Sequence, residues 1–420
     1  MTDRLYYSDS YLTTFTARVV ERLEVAGRPA VILDRSAFYP EGGGQPGDRG
    51  RLNQARVVDV VAREDASGAV AHLLSEPVAD AEVSGSIDWS RRFDLMQQHT
   101  GQHILSQAFI QALGAETIAF HLSDDPQAGT VTIDLSRSDL PPAQVDAVED
   151  LANRIVCENR PVMARFVAKE ELGSLPLRLR SADDPSRALR GLRKSLAVDA
   201  SIRIVEIDGF DWSACGGTHV ARSGEVGQIK IVKLDRRGNE TRVEFRCGQR
   251  ALHDYRRKNA LIQRVAADLS IGFRELDQAV ARLTTDNKAL AKRLEEAEAR
   301  GDEFEARDVL SDLHAGMGYA VALRAWRDRD MASLRRLAKQ IIGRPQTVAL
   351  LGSGGEKPAL VFARSGDLAF DMNRLVRDAA ARLGGRGGGA PDFAQAGGPP
   401  ESDEQVQAAL EGALAAMREL

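Results

Sequence analysis

The chain is poor in cysteine, contains no long apolar run, and carries no excess of positive charge. Its three cysteines, Cys157, Cys215 and Cys247, are an odd and widely spaced set. In a chain this long they do not describe a disulfide framework, which leaves reduced thiols free to act as ligands. No stretch reaches the roughly 18 uninterrupted apolar residues that a membrane helix needs, and "MTDRLYYSDS" lacks the charged-then-apolar pattern of a signal peptide. A cytoplasmic protein without a membrane partner is therefore expected. The formal net charge of −5 excludes capture of nucleic acid by bulk charge, so any polyanion must meet a local basic face. With 420 residues, two or three separate cores are expected.

What is present reads as α+β. Residues 1–88 hold β-rich runs ("RPAVILDRSAFY", "ARVVDVVARE", "AVAHLLS", "AEVSGSIDW") between turn-rich stretches, the pattern of a small antiparallel sheet or barrel. Asp88 or Ser90 can then cap a helix in which Phe93, Met96, Ile104, Leu105, Phe109 and Leu113 keep helical spacing up to the stop at Gly114. Further strands ("GTVTIDLS", "VMARFVA", "IRIVEIDGF") and a proline-opened helix ("PPAQVDAVEDLANRIVCENR") complete an α+β domain over 89–250, which ends in the hairpin "GQIKIVKLDRRGNETRVEFRCG". Residues 251–329 read as a long helical segment. Leu269, Phe273, Leu276, Val280, Leu283, Asn287, Leu290 and Leu294 recur at intervals of four and three, a coiled-coil-like seam with one polar member. Such a seam implies either a helix pair in a homodimer, formed through the helical segment and the C-terminal domain, or an in-chain hairpin with residues 302–314 returning. Residues 330–420 read as a small C-terminal α/β domain ending in the Gly-rich "GGRGGGAPDFAQAGGPP".

Two short motifs carry the chemistry. In "QQHTGQH", His99 and His103 are four apart within the helix, so both imidazoles lie on one face and can converge on one ion. In "CGGTHV", Cys215 and His219 repeat that interval in a loop, where the double glycine permits a tight turn. Together they make a Cys/His₃ set suited to zinc, one Zn²⁺ per chain. Four protein ligands fit a closed structural site; direct action on water or the ester carbonyl needs one ligand to swing away or the ion to expand its coordination, and with all four bound the ion would position the amino acid instead.

With "AFYPEGGGQPGD", "MQQHTGQHIL" and "DWSACGGTHV" in this order, the chain resembles alanyl-tRNA editing proteins of the AlaX type, long form, and the editing domain of alanyl-tRNA synthetase. Its C-terminal part is similar to the DHH-associated domain of the same proteins. The resemblance implies an aminoacyl-tRNA deacylase that hydrolyses seryl-tRNA, and often glycyl-tRNA, for alanine, with His99, His103, Cys215 and His219 as zinc ligands. It also implies that the aminoacylation half of the synthetase is missing. The segment "LRLRSADDPSRALRGLRKSLAVDASIR" departs from the family pattern and reads as an RNA contact or as a solvated charged loop.

The loop Gly42, Gly43, Gly44, Gln45 lets backbone amides approach a ligand, and the family uses it to shape the amino-acid pocket. Discrimination of serine from alanine needs a partner for one hydroxyl, since a site built to bond that group rejects the analogue lacking it. Thr117, His121 and Gln45 are the candidates. The residues name no catalytic acid or base: water can be activated at the ion, by another group, or by the terminal hydroxyl of the tRNA. Arg91, Arg92, Arg236, Arg237, Arg242, Arg246 and Arg250 offer phosphate contacts or balance nearby acids. The Gly-rich tail offers amides to RNA or serves as a linker. The competing function is a zinc-stapled tRNA-binding module without deacylase activity. A phosphoesterase, suggested by the usual companions of the C-terminal domain, lacks its DHH motif and acidic metal cluster here.

Overall fold

The structure is a computed structural model, and it describes residues 2–63, 68–125, 129–178, 197–198, 201–314 and 318–419. Two compact units divide at residues 269 and 270.

The first unit opens with a closed six-stranded antiparallel barrel: β1 (Thr14–Val25), β2 (Arg28–Leu33), β3 (Gly50–Leu52), β4 (Ala55–Ala62), β5 (Val70–Leu74) and β6 (Glu82–Ile87), in the order β1-β2-β5-β4-β3-β6. Alternation points Val31, Leu33, Leu52, Val57, Val60, Val70, Leu74 and Val83 into one core. The longest strand, β1, bears mostly exposed residues, four of them charged, and like the short β3 it is not revealed by the apolar pattern. His72 on β5 lies fully inside the barrel. Its Nδ1–H donates to Val31 O at 3.1 Å and its Nε2 accepts from Ser36 Oγ at 2.7 Å.

Burial pushes the His72 imidazole down to about 4, against about 6.5 in an unfolded chain. Between those values the unfolded chain binds the extra proton and the folded one does not, so the stability contributed by neutral His72 falls as pH drops from about 6.5 to about 4. The expected loss at pH 4.5 is about 2–3 kcal/mol. Urea midpoints of the wild type and of His72→Gln at pH 7 and pH 4.5 check this: the wild-type advantage must shrink by that amount, and a gap that stays constant rules the effect out.

Helix α1 (Trp89–Leu113) leaves the barrel. It packs with α2 (Pro142–Cys157) on an antiparallel four-stranded sheet of order β12-β13-β8-β7: β7 (Thr117–Leu122), β8 (Val131–Leu135), β12 (Ile229–Arg237) and β13 (Glu240–Cys247). A second antiparallel sheet joins β9 (Val162–Ala168), β10 (Ser201–Ile207) and β11 (Asp211–Ala214). Helix α3 (Gly248–Asp268) closes this unit with Ala251 and Asp254 buried, so the border expected at 250/251 falls inside a helix.

The second unit starts with one unbroken helix, α4 (Leu276–Ser311). The alternative of an in-chain hairpin is thereby corrected: residues 302–311 continue the helix, because Asp302, Ala306 and Val309 are buried against the C-terminal sheet and its helix α5 (Met331–Ile341). Asp302 accepts from Arg329 at 2.7 Å and from Arg336 at 2.8 Å. The sheet runs β14 (Ala320–Arg327), β15 (Thr347–Gly354), β16 (Ala359–Arg364), β18 (Phe393–Gly397), β17 (Arg386–Gly389), with only β14 and β15 parallel. Strand β14 lies ahead of residue 330, so this unit begins earlier than its expected border. Helices α6 (Met372–Arg382) and α7 (Asp403–Arg418) cover the other face. The Gly-rich tail is not a linker but the hairpin β17/β18 at the sheet edge. The strands approach so closely that a Cβ on Gly387 would lie 2.3 Å from that of Ala396. No helix among the described residues is long and apolar enough to cross a membrane.

Candidate metal centre

Helix α1 is fixed at both ends. Asp88 caps its start by accepting from Arg91 N, and Gly114, at φ +63°, ends it in the left-handed conformation. Its middle is surrounded by protein, with His99, Thr100, Gly101 and His103 all buried. The two histidines, one turn apart, hold their rings 5.3 Å from each other. Strand β11 delivers the second motif from the opposite side. Its loop is held by the buried Arg203 of β10, whose Nη1 donates to the carbonyls of Cys215 and Gly217, each at 2.9 Å.

One donor atom each from His99, His103, Cys215 and His219 lies within 4.8 Å of every other. Cys215 Sγ is 3.4 Å from His99 Nε2 and 3.3 Å from His219 Nε2. A tetrahedral zinc with ordinary Zn–S and Zn–N bonds separates such atoms by about 3.5 Å.

The other ring nitrogens supply the stronger fit. His99 Nδ1–H donates to Gln45 Oε1 at 2.8 Å, His103 Nδ1–H to Asp211 Oδ2 at 3.0 Å, and His219 Nδ1–H to Thr100 Oγ1 at 3.1 Å. All three imidazoles thus spend Nδ1 on an outer acceptor and turn a bare Nε2 inward, the arrangement that orients metal-bound histidines. Electrostatics agree. Burial opposes ionisation of the Cys215 thiol, but the imidazoles of His99, His219 and His103 around it bring it well below the usual thiol range, the proton it gives up resting on His103 until a cation takes its place. Burial drives His219 down to about 3, so it is neutral. Burial works against charge on His103 too, yet its bonds to Asp211 and Cys215 raise it. A thiolate among imidazole nitrogens is what a borderline-soft divalent cation binds.

The Gly-rich loop reaches this centre. Gly43 and Gly44, both at positive φ, form a two-residue turn between paired Gly42 and Gln45. Gln45 is fully buried behind the turn. Its Oε1 accepts from His99 and from Thr218 N (3.1 Å), and its Nε2 donates to Thr218 Oγ1 at 2.8 Å. These bonds turn Gln45, offered by the sequence as a partner for a substrate hydroxyl, toward His99 and Thr218. His121 is exposed, and on β7 it points away from the face of its neighbour Phe120, which stacks on His99. Thr117 is buried and donates to Ser106 Oγ at 2.7 Å, one turn beyond Gln102 and His103. Gly44 and Phe120 meet, with Gly44 so close that a Cβ there would be 3.2 Å from the ring.

Most of the candidate RNA-binding arginines have structural partners. Arg92 is buried with Asp48 and also bonds Ser10 O and Ala37 O. Arg250 pairs with Asp94, Arg242 with Asp134, Arg246 with Glu244 and Asp254, Arg237 with Asp235, and Arg91 with Asp124 and Gly47 O. Arg236 stays exposed. The departing Arg-rich segment lies largely outside the described residues, but Arg178 at its start contacts Asp211. Sequence reasoning missed Asp211, Thr100, Phe120 and Arg203. Asp211 and Thr100 sit next to the motifs, where a search for outer acceptors could find them; spacing carries no trace of Phe120 or Arg203.

Three family models match the chain. They are the Threonyl and Alanyl tRNA synthetase second additional domain over residues 202–244, the DHHA1 domain over 316–419, and the tRNA synthetases class II (A) over 4–91. Among curated relatives, the alanine–tRNA ligase of Natronomonas pharaonis is 32% identical over 98% of this chain and 44% of its own length. That of Pyrobaculum neutrophilum is 34% identical over 94% of this chain and 42% of its own. The chain thus spans less than half of these ligases. The alanyl-tRNA editing protein AlaX-L of Pyrococcus horikoshii is 30% identical over 98% of both chains.

Proposed function

The chain belongs to the family of the alanyl-tRNA editing protein AlaX-L, and from that premise we propose that it is a trans-editing deacylase that cleaves the ester of seryl-tRNA, and of glycyl-tRNA, for alanine in the cytoplasm. The observation that carries this reading is the convergence of three bare Nε2 atoms and the Cys215 thiolate, each ring fixed from behind. These residues would hold one Zn²⁺. When bound, it supplies positive charge that polarises an ester carbonyl, lowers the pKa of a water, or anchors an α-amino group. Gln45, Asp211 and Thr100 keep the imidazoles oriented. Phe120, stacked on His99 and touched by Gly44, lines one side of the centre and limits the room beside that ring. The Thr117–Ser106 hydroxyl pair is the remaining partner for a serine hydroxyl among the original candidates. Asp211, the carboxylate bonded to a ligand, is already paired with Arg178, so the proton acceptor in this reading is a water or a hydroxyl of the tRNA itself.

A zinc-stapled tRNA-binding module is the second reading, favoured by the count of four protein ligands. Incubating substoichiometric protein with seryl-, glycyl- and alanyl-tRNA for alanine, with and without chelation, separates the two. The deacylase turns over seryl-tRNA and spares alanyl-tRNA by at least about a hundredfold, and chelation stops turnover. Binding of intact seryl-tRNA without turnover selects the module. For assembly, Val280, Leu283, Leu290 and Leu294 of α4 are exposed around Asn287; this seam is proposed to pair with a second copy.

A further inference from the structure

Resting on the reading that the four ligands hold a metal, we infer that Arg178 is a positioning residue for that centre: it fixes the carboxylate that orients His103. Asp211 is 1% exposed. Its Oδ2 accepts His103 Nδ1–H at 3.0 Å, and a carboxylate that could rotate about its χ angles would not hold that ring in one orientation. Arg178 removes the freedom. Its Nε donates to Oδ1 at 2.7 Å and its Nη2 reaches Oδ2 at 3.4 Å, so the planar fork grips both oxygens. Ser213 Oγ touches the same two oxygens at 3.1 and 2.9 Å. Nη2 also lies 3.4 Å from His103 Nδ1; both nitrogens are donors, and they converge on Oδ2.

The arginine is itself held. Its backbone N–H donates to Trp212 O at 2.7 Å, and the preceding Leu175 and Leu177 pack with Leu172, Val167, Ile202 and Ile204 in a small separate core. The chain entering the Arg-rich segment is thereby locked to the residue next to Asp211. Loss of a group bonded directly to a ligand lowers metal affinity about 10- to 100-fold, and Arg178 acts on such a group, Asp211.

The test uses the full chain loaded with Co²⁺, whose d–d absorption reports the geometry of a four-coordinate site, and follows release to excess chelator. Arg178→Met, Arg178→Lys and Arg165→Met are compared with wild type at a temperature where circular dichroism shows each metal-free variant folded. Arg165, exposed on β9 and paired with Glu206, is the control for loosening of the sheet. Arg178→Met is expected to release Co²⁺ at least tenfold faster with displaced d–d bands. Arg178→Lys, which keeps the charge without the fork, falls between, and Arg165→Met matches wild type. Wild-type bands and release in Arg178→Met, an equal effect from Arg165→Met, or full recovery with lysine would each overturn the positioning role. Absence of d–d bands in wild type would overturn the metal reading itself, and this role with it.

Discussion

Cys215→Ala and His103→Ala are expected to leave a folded protein that retains no stoichiometric zinc and deacylates seryl-tRNA on the order of 10³-fold more slowly than wild type. The ligands sit between elements that have cores of their own, so α1 stays buried against its sheet when one of them is lost. What disappears is one of four donors and several kcal/mol of charge stabilisation, which corresponds to about three powers of ten in rate. The two substitutions differ in what they strand. In His103→Ala, Asp211 keeps Arg178 and Ser213 as partners. In Cys215→Ala, three imidazoles face each other without a thiolate between them. Metal content by atomic absorption, single-turnover rates and thermal melts check the prediction. Unimpaired turnover in a variant shown to be metal-free would end the proposed mechanism, and a collapsed melt would show that the centre is a staple.

A single methyl group at Gly217 is expected to do nearly as much. A Cβ there would lie 2.3 Å from His99 Cε1, 2.5 Å from its Nδ1 and 2.8 Å from Gln45 Oε1. The imidazole cannot yield easily: Phe120 stacks on it, and its Nδ1 is bonded to Gln45. The loop cannot yield either, because Arg203 holds the carbonyls on both sides of the contact. Overpacking of this kind costs about 1–3 kcal/mol, and here the strain falls on a ligand. Gly217→Ala should therefore bind Zn²⁺ at least about a hundredfold more weakly, with a loss of global stability near the lower end of that range. Competition with a chromophoric chelator measures the first quantity and urea denaturation the second. Wild-type affinity in Gly217→Ala would mean that the loop is far softer than its bonds imply.

These two results turn on residues of unequal legibility. His99 and His103 could be read because a helical interval of four has one geometric meaning, and Asp88 and Gly114 marked the ends of that helix. Cys215 and His219 were readable as a matching pair of donors, though nothing in their spacing says that they approach α1. Gln45 shows where residue-level reading stops. Its place beside three glycines suggested contact with a substrate, whereas its amide serves His99 and Thr218 across long sequence separations. His121 and Phe120 illustrate the period of two: a one-residue difference decides which side chain faces the centre, and no local pattern around 117–122 sets that register. The barrel was visible from its apolar runs, except for β1, whose charged outer face masks the alternation, and β3, which is only three residues long. The seam from Leu276 to Leu294 lies on α4, whereas Leu269 and Phe273 fall in the break before it, and whether the helix turns back depended on Asp302 meeting two arginines from a later helix and its preceding loop.

The order of the donors along the chain has a consequence during synthesis. Gln45, His99 and Thr100 leave the ribosome long before Asp211, Cys215 and His219, so a nascent chain carries a capped helix with two imidazoles and no thiolate. Two nitrogens hold zinc only loosely. On the proposed reading, a complete set of four donors exists only once translation has passed residue 219, so the ion would join a chain whose barrel and first helix are already made.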